Sequence, residues 1–435
     1  MTVQNYISGG SAVNIAGSVE SAVAAGHLTS GDMLPAVRSL ADHLRVAPAT
    51  VAAAYRLLQD RGVIVADGRR GTRVRSAAPI AIPREAPIPR GVRNLADGNP
   101  DPDLLPDLAV ALQKLEMDSR LYGEELNDAS LLTLAREQFA ADSIPSAHVS
   151  IVSGAMDGLE RVLREHLRAG DRVAVEDPSF TGVLDLLNAL SLVAVPVPVD
   201  DEGLLPADLK RAIRSADALI VTPRAQNPTG AAFTSRRARE LRKVLSTRPA
   251  LLIIEDDHAG AVAGAEYISI IDKSREKWAV VRSVSKSLGP DLRVALLAAD
   301  PLTHARVEGR QNLGVRWVSH ILQRIVVLLA RDRSPIRAGR IYTERRNALL
   351  KALRERGIAA HGASGLNVWI PVAEESATVQ TLLHEGWAVK AGERYRIATS
   401  PAIRVTIATL EPRDAVRFAD ALASAISPHR RASSA

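Results

Sequence analysis

The chain has 435 residues, 46% of them hydrophobic, and a formal net charge of +6, which is sufficient apolar material for two or three folded domains. It contains no cysteine, so disulfides, thiolate zinc sites and cysteine nucleophiles are excluded. No apolar run approaches the roughly 20 residues needed to cross a bilayer, and the N-terminus lacks the basic start of a secretion signal. We therefore expect a cytoplasmic protein with no membrane partner and no bound metal.

The positive charge is concentrated near the N-terminus. Residues 1–93 contain eleven arginines, no lysine and six acidic residues, for a net charge of +5. Arg430 and Arg431 add +2 at the other end, so the segment between carries about −1. A small basic module before a nearly neutral body is expected where only the first part meets a polyanion. A solvated, arginine-rich helical domain without such a partner is the alternative.

A proline-rich stretch, SAAPIAIPREAPIPRGVR, divides the chain at residues 76–93. A proline every few residues without apolar periodicity predicts an extended, partly stiff linker. We therefore expect an N-terminal domain over residues 1–75, a larger domain over residues 94–428 and a disordered tail over residues 429–435.

The segment LPAVRSLADHLRVAPATVAAAYRLLQDRGVIVADGRRGTRV predicts two helices joined by a short turn and followed by a hairpin. The apolar residues spaced to fill a shared core are Leu40, Leu44, Val51, Tyr55 and Leu58. This pattern is typical of a winged helix-turn-helix, whose second helix enters the major groove of double-stranded DNA. Arg69, Arg70 and Arg73 on the wing would meet phosphates or a minor groove. A protein-interaction domain with the same helices is the alternative.

The strings LPAVRSLADHL, TVAAAYRLL and RGVI resemble the DNA-binding domain of the GntR family. That resemblance implies binding to an operator, with Arg38 at a backbone- or base-contacting position. It also implies that Ala49, Thr50 and Tyr55 on the recognition helix are DNA-binding residues. Pro48 stands where many members of the family have an arginine, and a proline cannot read a guanine edge.

After about residue 150, short apolar runs alternate with helical stretches. Buried strands are predicted for the runs DRVAVEDP, ALIVTPR, ALLIIEDD and KWAVVRSVS. The alternation predicts an α/β fold with a mostly parallel sheet, and ligands bind such sheets beyond the carboxyl ends of the strands. From about residue 335, an amphipathic helix and short strands predict a smaller α+β domain.

Residues at the ends of these strands match the needs of a pyridoxal phosphate site. That cofactor requires a lysine amine for a Schiff base, a carboxylate at the pyridine nitrogen, donors for the phosphate and an aromatic side chain over the ring. Lys286, in SVSKSLGPDLR, follows a buried strand, where desolvation favours the neutral amine. The candidate phosphate partners are Ser283, Ser285, Arg293 and, at a helix start, Ala155 and Met156.

Three further motifs supply the remaining groups. Phe180, in EDPSF, could stack on the pyridine, and Asn227, in TPRAQNPTG, could donate to the ring hydroxyl. Asp256 or Asp257, in IIEDDH, could pair with the ring nitrogen. Each motif alone has an ordinary explanation, such as a solvated loop or a core phenylalanine. Because five such motifs occur together in sequence order, independent chance explains them poorly.

Together these stretches resemble fold-type I aminotransferases over essentially all of residues 94–428. The resemblance implies pyridoxal 5'-phosphate as cofactor, with Lys286 as the Schiff-base lysine, Asp256 at the pyridine nitrogen, Asn227 at the ring hydroxyl and Ala155, Met156, Ser283, Ser285 and Arg293 at the phosphate. It implies that Tyr122 reaches the phosphate of the neighbouring subunit in a homodimer, and that Arg404 clamps the carboxylate of an effector. A surface ion pair is the alternative for Arg404. His258 stands near the ring hydroxyl, where most relatives have a tyrosine.

A GntR-type module joined to an aminotransferase-like domain is the architecture of the MocR regulators, which this chain resembles. Within that group, VAVEDP, TPRAQNPTG and WAVVRSVSKSLGPDLR resemble a regulator associated with the pyridoxal kinase gene of vitamin B6 salvage. The resemblance implies a DNA-binding transcriptional regulator that senses pyridoxal phosphate, with a vestigial aminotransferase domain. Two alternatives stay open: a working aminotransferase that carries a DNA-binding module, and a sensor of an amino acid that binds through the cofactor without turnover.

Overall fold

The computed structural model describes residues 3–29, 31–60, 63–66, 71–74, 87–116, 118–272 and 275–426. The chain divides into two compact units, of which the first contains the residues up to 86 together with 167–172 and 185–194, and the second contains the remainder. Most of the predicted linker and all of the predicted tail over 429–435 lie outside the described residues.

Three helices and a hairpin form the described part of the N-terminal module. They are α1 (Ala12–Ala24), α2 (Val37–Leu44), α3 (Pro48–Asp60), β1 (Ile64–Ala66) and β2 (Thr72–Val74), and the two strands pair antiparallel. The Ser11 side chain caps α1 by accepting a hydrogen bond from the amide of Asn14. Helix α2 ends at Arg45, which adopts a left-handed φ of 56°, and Pro48 occupies the first position of α3, where no N–H is needed.

The core of this module is built from the aliphatic residues that the helical spacing predicts. Leu40, Val51 and Leu58 are fully buried, and Leu44 is half-buried against them. Helices this short are marginal in isolation, so the shared apolar core stabilises them. The order of helices and hairpin is that of a winged helix-turn-helix, as predicted.

An eight-stranded sheet forms the centre of the body. Its strands are β4 (Val149–Val152), β5 (Arg172–Asp177), β6 (Val193–Asp200), β7 (Gly203–Leu204), β8 (Ala218–Val221), β9 (Leu252–Asp257), β10 (Trp278–Ser283) and β11 (Ala295–Ala299). The strand order is β4-β11-β10-β9-β8-β5-β6-β7. The central pairs β5–β8, β8–β9 and β9–β10 are parallel, whereas β11 pairs antiparallel with β10 and β4. The predicted mostly parallel α/β sheet is therefore confirmed.

The helices of the body pack their apolar faces on this sheet and on the C-terminal strands. They are α4 (Leu108–Gln113), α5 (Ala129–Ala141), α6 (Ala155–His166), α7 (Thr181–Ala189), α8 (Pro206–Ala212), α9 (Ser235–Leu245), α10 (Pro301–Leu313), α11 (His320–Ala330), α12 (Ser334–Arg354), α13 (Glu375–His384) and α14 (Pro412–Ile426). Strands β8, β9 and β10 are buried along their whole length, which explains their continuous apolar runs. Among the helices of the described residues, none combines the length and hydrophobicity needed to cross a bilayer.

A smaller sheet lies near the C-terminus. It consists of β12 (Asn367–Pro371), β15 (Ala402–Thr406) and β14 (Lys390–Ala391), in that order, while β13 (Trp387–Ala388) pairs parallel with β3 (Arg93–Asn94). We predicted Arg93 as the last linker residue, but it belongs to β3. Its amide donates to the carbonyl of Gly386 at 2.9 Å, and its guanidinium pairs with Asp414. The linker therefore ends before Arg93, because these contacts tie that residue to the body.

Candidate functional site

Lys286 lies in the turn that follows β10, at the carboxyl edge of the large sheet. Its Nζ donates a hydrogen bond to the carbonyl of Gly98 at 2.7 Å. Burial lowers the pKa of Lys286 to about 8, and the positive charge of Arg404 acts in the same direction. Near neutral pH, a much larger fraction of this amine is neutral and nucleophilic than in an ordinary lysine.

Arg404 on β15 approaches Lys286 from the smaller sheet. Its Nη1 donates to Oδ1 of Asn227 at 3.3 Å, its Nη2 donates to the carbonyl of Ala96, and its side chain is almost fully buried. Gly98 has a φ of +72°, and a Cβ at this position would lie 3.2 Å from Arg404 Nη2. The left-handed φ and the close approach of Arg404 therefore favour a glycine at this position, whose carbonyl accepts from Lys286.

Asp256 on β9 is the candidate partner of a pyridine nitrogen. Its side chain is buried, and Oδ1 has no hydrogen-bond partner among the described residues. Burial raises the pKa of Asp256 to about 7, and the negative charge of Asp257 raises it as well. A buried carboxylate oxygen without a donor is costly, and the protonated nitrogen of a pyridine ring is a donor that would satisfy it. The site therefore fits pyridoxal phosphate at this position.

Asp257 is paired with two arginines, whereas Oδ1 of Asp256 has no hydrogen-bond partner among the described residues. The carboxylate of Asp257 pairs with Arg224 at 2.8 Å and with Arg282 at 2.6 Å. Burial opposes its ionisation, but the charges and hydrogen bonds of the two arginines outweigh burial and lower the pKa of Asp257. Successive strand residues point to opposite faces, so Asp256 is the available carboxylate.

The expected phosphate end lies where α6 begins. Helix α6 starts at Ala155, so the amides of Ala155 and Met156 have no acceptor within the helix. Gly154 has a φ of +95°, and a Cβ there would lie 2.7 Å from Nη2 of Arg293. The guanidinium of Arg293 therefore passes directly over this helix start, an arrangement suited to an anion.

Ser283 and Ser285, two further predicted phosphate partners, contact each other. Ser283 is the last residue of β10, and its Oγ accepts a hydrogen bond from the amide of Ser285 at 3.1 Å. This contact places the two serines in the same turn as Lys286.

Phe180 and His258 lie at the ends of β5 and β9. The ring of Phe180 is half-buried and folds back on its own turn, since a Cβ on Gly182 would lie 2.6 Å from it. The Nε2 atom of His258 contacts the carbonyl of Ala225 at 2.8 Å. Burial lowers the pKa of His258 to about 4, and the Lys286 charge also lowers it. His258 is therefore a neutral imidazole that donates from Nε2 to the backbone near neutral pH.

Tyr122 contacts a different set of residues. Its side chain is 79% exposed, its ring meets that of Trp317 edge-on with centroids 5.6 Å apart, and the Arg316 guanidinium lies 5.3 Å from its centroid. Within one chain, the described contacts of Tyr122 do not include Lys286 or the other predicted cofactor residues.

The predicted DNA-binding residues are arranged around the start of α3. Arg38 and Ala49 are exposed, and Thr50 and Arg73 are half-buried. Tyr55 differs: it is 5% exposed, and its hydroxyl donates to the carbonyl of Pro35 at 2.7 Å. We predicted Tyr55 both as a core residue and as a DNA-binding residue, and its burial agrees with the core position and leaves little of its surface for a DNA contact. Arg69 and Arg70 lie outside the described residues.

Some residues of the site do not follow from the sequence motifs. The carbonyls of Ala96 and Gly98, which accept from Arg404 and Lys286, belong to a loop far away in sequence, and backbone acceptors leave no residue-type signature. Arg224 and Arg282 had a usable signal, since an arginine inside a run predicted to be buried indicates a buried ion pair.

Comparison with known families agrees with these two parts of the chain. Residues 11–74 match the model of the bacterial regulatory proteins of the gntR family, and residues 90–422 match that of the aminotransferases of class I and II. The fold and the site thus define a regulatory DNA-binding module joined to an aminotransferase-type domain.

The chain is 40% identical over 413 residues to the vitamin B6 salvage pathway transcriptional repressor PtsJ of Salmonella typhimurium, covering 93% of this chain and 96% of PtsJ. It is 27% identical to the pyridoxine biosynthesis transcriptional regulator PdxR of Corynebacterium glutamicum, covering 76% of each. The fold is similar to that of LysN, the α-aminoadipate aminotransferase of Thermus thermophilus, solved with N-(5'-phosphopyridoxyl)-L-leucine. That match has a TM-score of 0.68 and 22% identity, and covers 78% of this chain and 93% of LysN. The protein belongs to the GntR family, as a MocR-type transcriptional regulator with a fold-type I aminotransferase-like domain.

Proposed function

We propose that this protein senses pyridoxal 5'-phosphate through Lys286 and controls genes of vitamin B6 salvage, such as that of pyridoxal kinase. The observation that carries the proposal is the combination, at the carboxyl edge of one sheet, of a lysine of lowered pKa with Asp256, whose buried Oδ1 has no partner in the described part of the chain. The relatives PtsJ and PdxR, whose names refer to vitamin B6 salvage and pyridoxine biosynthesis, support this choice of genes.

The residues around Lys286 have distinct roles in this proposal. Pyridoxal phosphate would supply an aldehyde when bound, and Lys286 would hold it through the neutral amine of Nζ. Asp256 holds the proton on the pyridine nitrogen. The Oδ1 of Asn227 accepts from Arg404, which leaves its Nδ2 to donate to the ring hydroxyl. Phe180 covers the ring, and His258 stays neutral beside it.

The opposite end of the cofactor would be held by neutral donors and one guanidinium. The residues in this role are Ala155, Met156, Ser283, Ser285 and Arg293. The two amides at the start of α6 favour an anion through the helix dipole. Arg404 remains as a binding group for the carboxylate of a second effector, such as an amino acid.

The DNA-binding half of the proposal rests on the N-terminal module. Arg38, Ala49, Thr50 and Arg73 would contact an operator, with the start of α3 in the major groove. We propose that two copies act together, because two-fold related recognition helices read paired half-sites and because Tyr122 is exposed for contact with a second copy. Cofactor binding changes DNA affinity only as far as it prefers one state of the protein.

Replacement of the lysine tests the proposal. Wild-type protein incubated with pyridoxal phosphate should develop the absorbance of a lysine-bound cofactor and a reducible adduct on Lys286, and Lys286→Ala should lose both completely because no other group supplies the amine. Lys351→Ala, which changes an exposed lysine of α12, is the matched control and should behave as wild type.

The same variants should then be compared in binding to the DNA upstream of the gene and its neighbours, with and without the cofactor. We expect a cofactor-dependent change of affinity in wild type and none in Lys286→Ala. An adduct that survives in Lys286→Ala, or equal cofactor effects in both proteins, contradicts the proposal.

A working aminotransferase is the second candidate. The observation on its side is that Arg404, a group that could bind the carboxylate of an amino acid, lies close enough to Lys286 to lower its pKa. The test is a panel of amino acids added to the cofactor-loaded protein. Repeated conversion of the cofactor with release of keto acid would establish an enzyme. An unchanged spectrum together with cofactor-dependent DNA binding would establish the sensor, which we favour.

A further inference from the structure

A buried chain of alternating charges lies beside Asp256. Arg224 donates to Asp257 twice, from Nε to Oδ1 at 2.9 Å and from Nη2 to Oδ2 at 2.8 Å. Arg282 donates from Nε to Oδ2 of Asp257 at 2.6 Å and from Nη2 to Asp142 at 2.5 Å. The side chains of Asp257 and Arg282 are 0% and 6% exposed. Two arginines therefore hold one fully buried carboxylate.

The sheet and an aromatic ring fix this arrangement. Arg282 on β10 lies opposite Asp257 on β9 in the parallel register. Both guanidinium groups lie over the ring of Tyr267, Arg224 at 5.1 Å and Arg282 at 5.0 Å from its centroid. Buried ion pairs are weak sources of stability, since desolvation offsets their attraction. A role in positioning a neighbouring group is therefore a better explanation for two arginines on one carboxylate.

We infer that Arg224 and Arg282 are positioning residues that set the orientation and charge of Asp256 through Asp257. Asp256 and Asp257 are successive residues of β9, so their side chains point to opposite faces of the strand. The arginines therefore bind Asp257 on the face opposite the candidate cofactor site. Their positive charges pair directly with Asp257, while the charge of Asp257 still opposes ionisation of Asp256. This inference rests on the proposed function, because Asp256 matters through the pyridine nitrogen that it would face.

The electrostatics around Asp256 agree with this role. Burial raises the pKa of Asp256, and the adjacent Asp257 adds to the rise. Two other titratable groups of this edge are Glu176 on β5, whose pKa responds to Asp256, and His258, which follows Asp257 in the chain. Burial raises the pKa of Glu176 to about 8, and the pKa of His258 is lowered to about 4, so both are largely uncharged near neutral pH. Asp257 is therefore the charged neighbour that acts on Asp256, and Arg224 and Arg282 are the cations that pair with it.

Arg282→Gln tests the inference by removing one positive charge behind the site. A more negative environment favours the positively charged, protonated form of the lysine-bound cofactor, so the pKa of its absorbance change should rise by roughly one pH unit. The measurement is an absorbance titration of the cofactor-loaded protein. Arg282→Lys keeps the charge and should titrate close to wild type, which a purely steric role does not predict.

Arg275→Gln is the matched control, because this buried arginine bonds the backbone carbonyls of Arg248 and Leu245. It should leave the titration unchanged. If Arg282→Gln does not fold, Asp142→Asn removes a negative charge from the outer end of the same chain and should lower the pKa instead. The inference is overturned if the pKa of the absorbance change is unshifted in whichever of Arg282→Gln and Asp142→Asn folds. It is also overturned if Arg275→Gln shifts that pKa by the same amount. Failure of the proposed function is distinct, since wild type would then bind no cofactor at all.

Discussion

At Lys286, burial and a neighbouring charge act on the same amine in the same direction. Both disfavour the ammonium form, and together they lower its pKa to about 8. The Lys286 amine donates a hydrogen bond to the carbonyl of Gly98. The same loop contains Ala96, whose carbonyl accepts a hydrogen bond from Arg404. More of this amine is in the neutral form that attacks an aldehyde than in an exposed lysine of ordinary pKa.

The pH dependence of cofactor uptake follows from this pKa. Only the neutral amine attacks the aldehyde, so the rate of uptake should rise about tenfold per pH unit below pH 8 and level off above it. Stopped-flow absorbance between pH 6 and 10 measures the profile. A rate that continues to climb to pH 10 would show that Lys286 has an ordinary pKa and contradict the burial argument.

Helix α3 shows how one element divides its faces between core and ligand. Val51, Tyr55 and Leu58 share the buried face by helical spacing, while Ala49 at the helix start is exposed. The hydroxyl of Tyr55 is satisfied within the module by Pro35. The start of the helix is therefore exposed, whereas Tyr55 faces the core of the module.

Tyr55→Phe checks this division. Loss of the hydrogen bond to Pro35 should lower the stability of the N-terminal module by about 0.5–1.5 kcal/mol, while DNA affinity changes less than about twofold. Denaturant unfolding and a DNA-binding titration measure the two effects. Leu58→Ala is the comparison for core damage and should cost about 2–5 kcal/mol. A large loss of DNA affinity in stably folded Tyr55→Phe would restore Tyr55 as a DNA contact.

At the scale of the whole molecule, charge is segregated along the chain. The first 93 residues carry +5 of the total +6, and the large segment before the C-terminal arginines is nearly neutral. A basic module attracts DNA phosphates without regard to sequence. The charge distribution therefore places the electrostatic attraction for nucleic acid in the N-terminal part.

Arg69→Ala combined with Arg70→Ala tests this segregation. If both arginines meet phosphates, DNA binding should weaken about equally on all sequences, and the slope of log affinity against log salt should flatten by about two. Binding titrations at several salt concentrations measure both quantities. Replacement of Arg430 and Arg431 by alanine makes the same change of net charge and should leave the slope unchanged. A loss confined to one operator would contradict a phosphate role.

Local patterns alone determined much of this protein. Helical spacing predicted α2 and α3 with their core, and apolar runs predicted β5, β8, β9 and β10 in a mostly parallel sheet. Motifs at strand ends indicated Lys286, Asn227 and Asp256 as candidates for one site. These features are encoded by residues close in sequence, so periodicity and short motifs suffice to find them.

Only the tertiary structure decided which of these residues meet. It showed that Asp257 is held by Arg224 and Arg282, so that Asp256 is the carboxylate left for a ligand. It showed that the Tyr55 hydroxyl is bonded to Pro35 within the module, and it placed Arg93 in a strand instead of the linker. It also brought the Gly98 carbonyl to Lys286 across 188 residues. Such contacts depend on how distant segments pack together, and side-chain burial and pairing are properties of that packing rather than of local sequence.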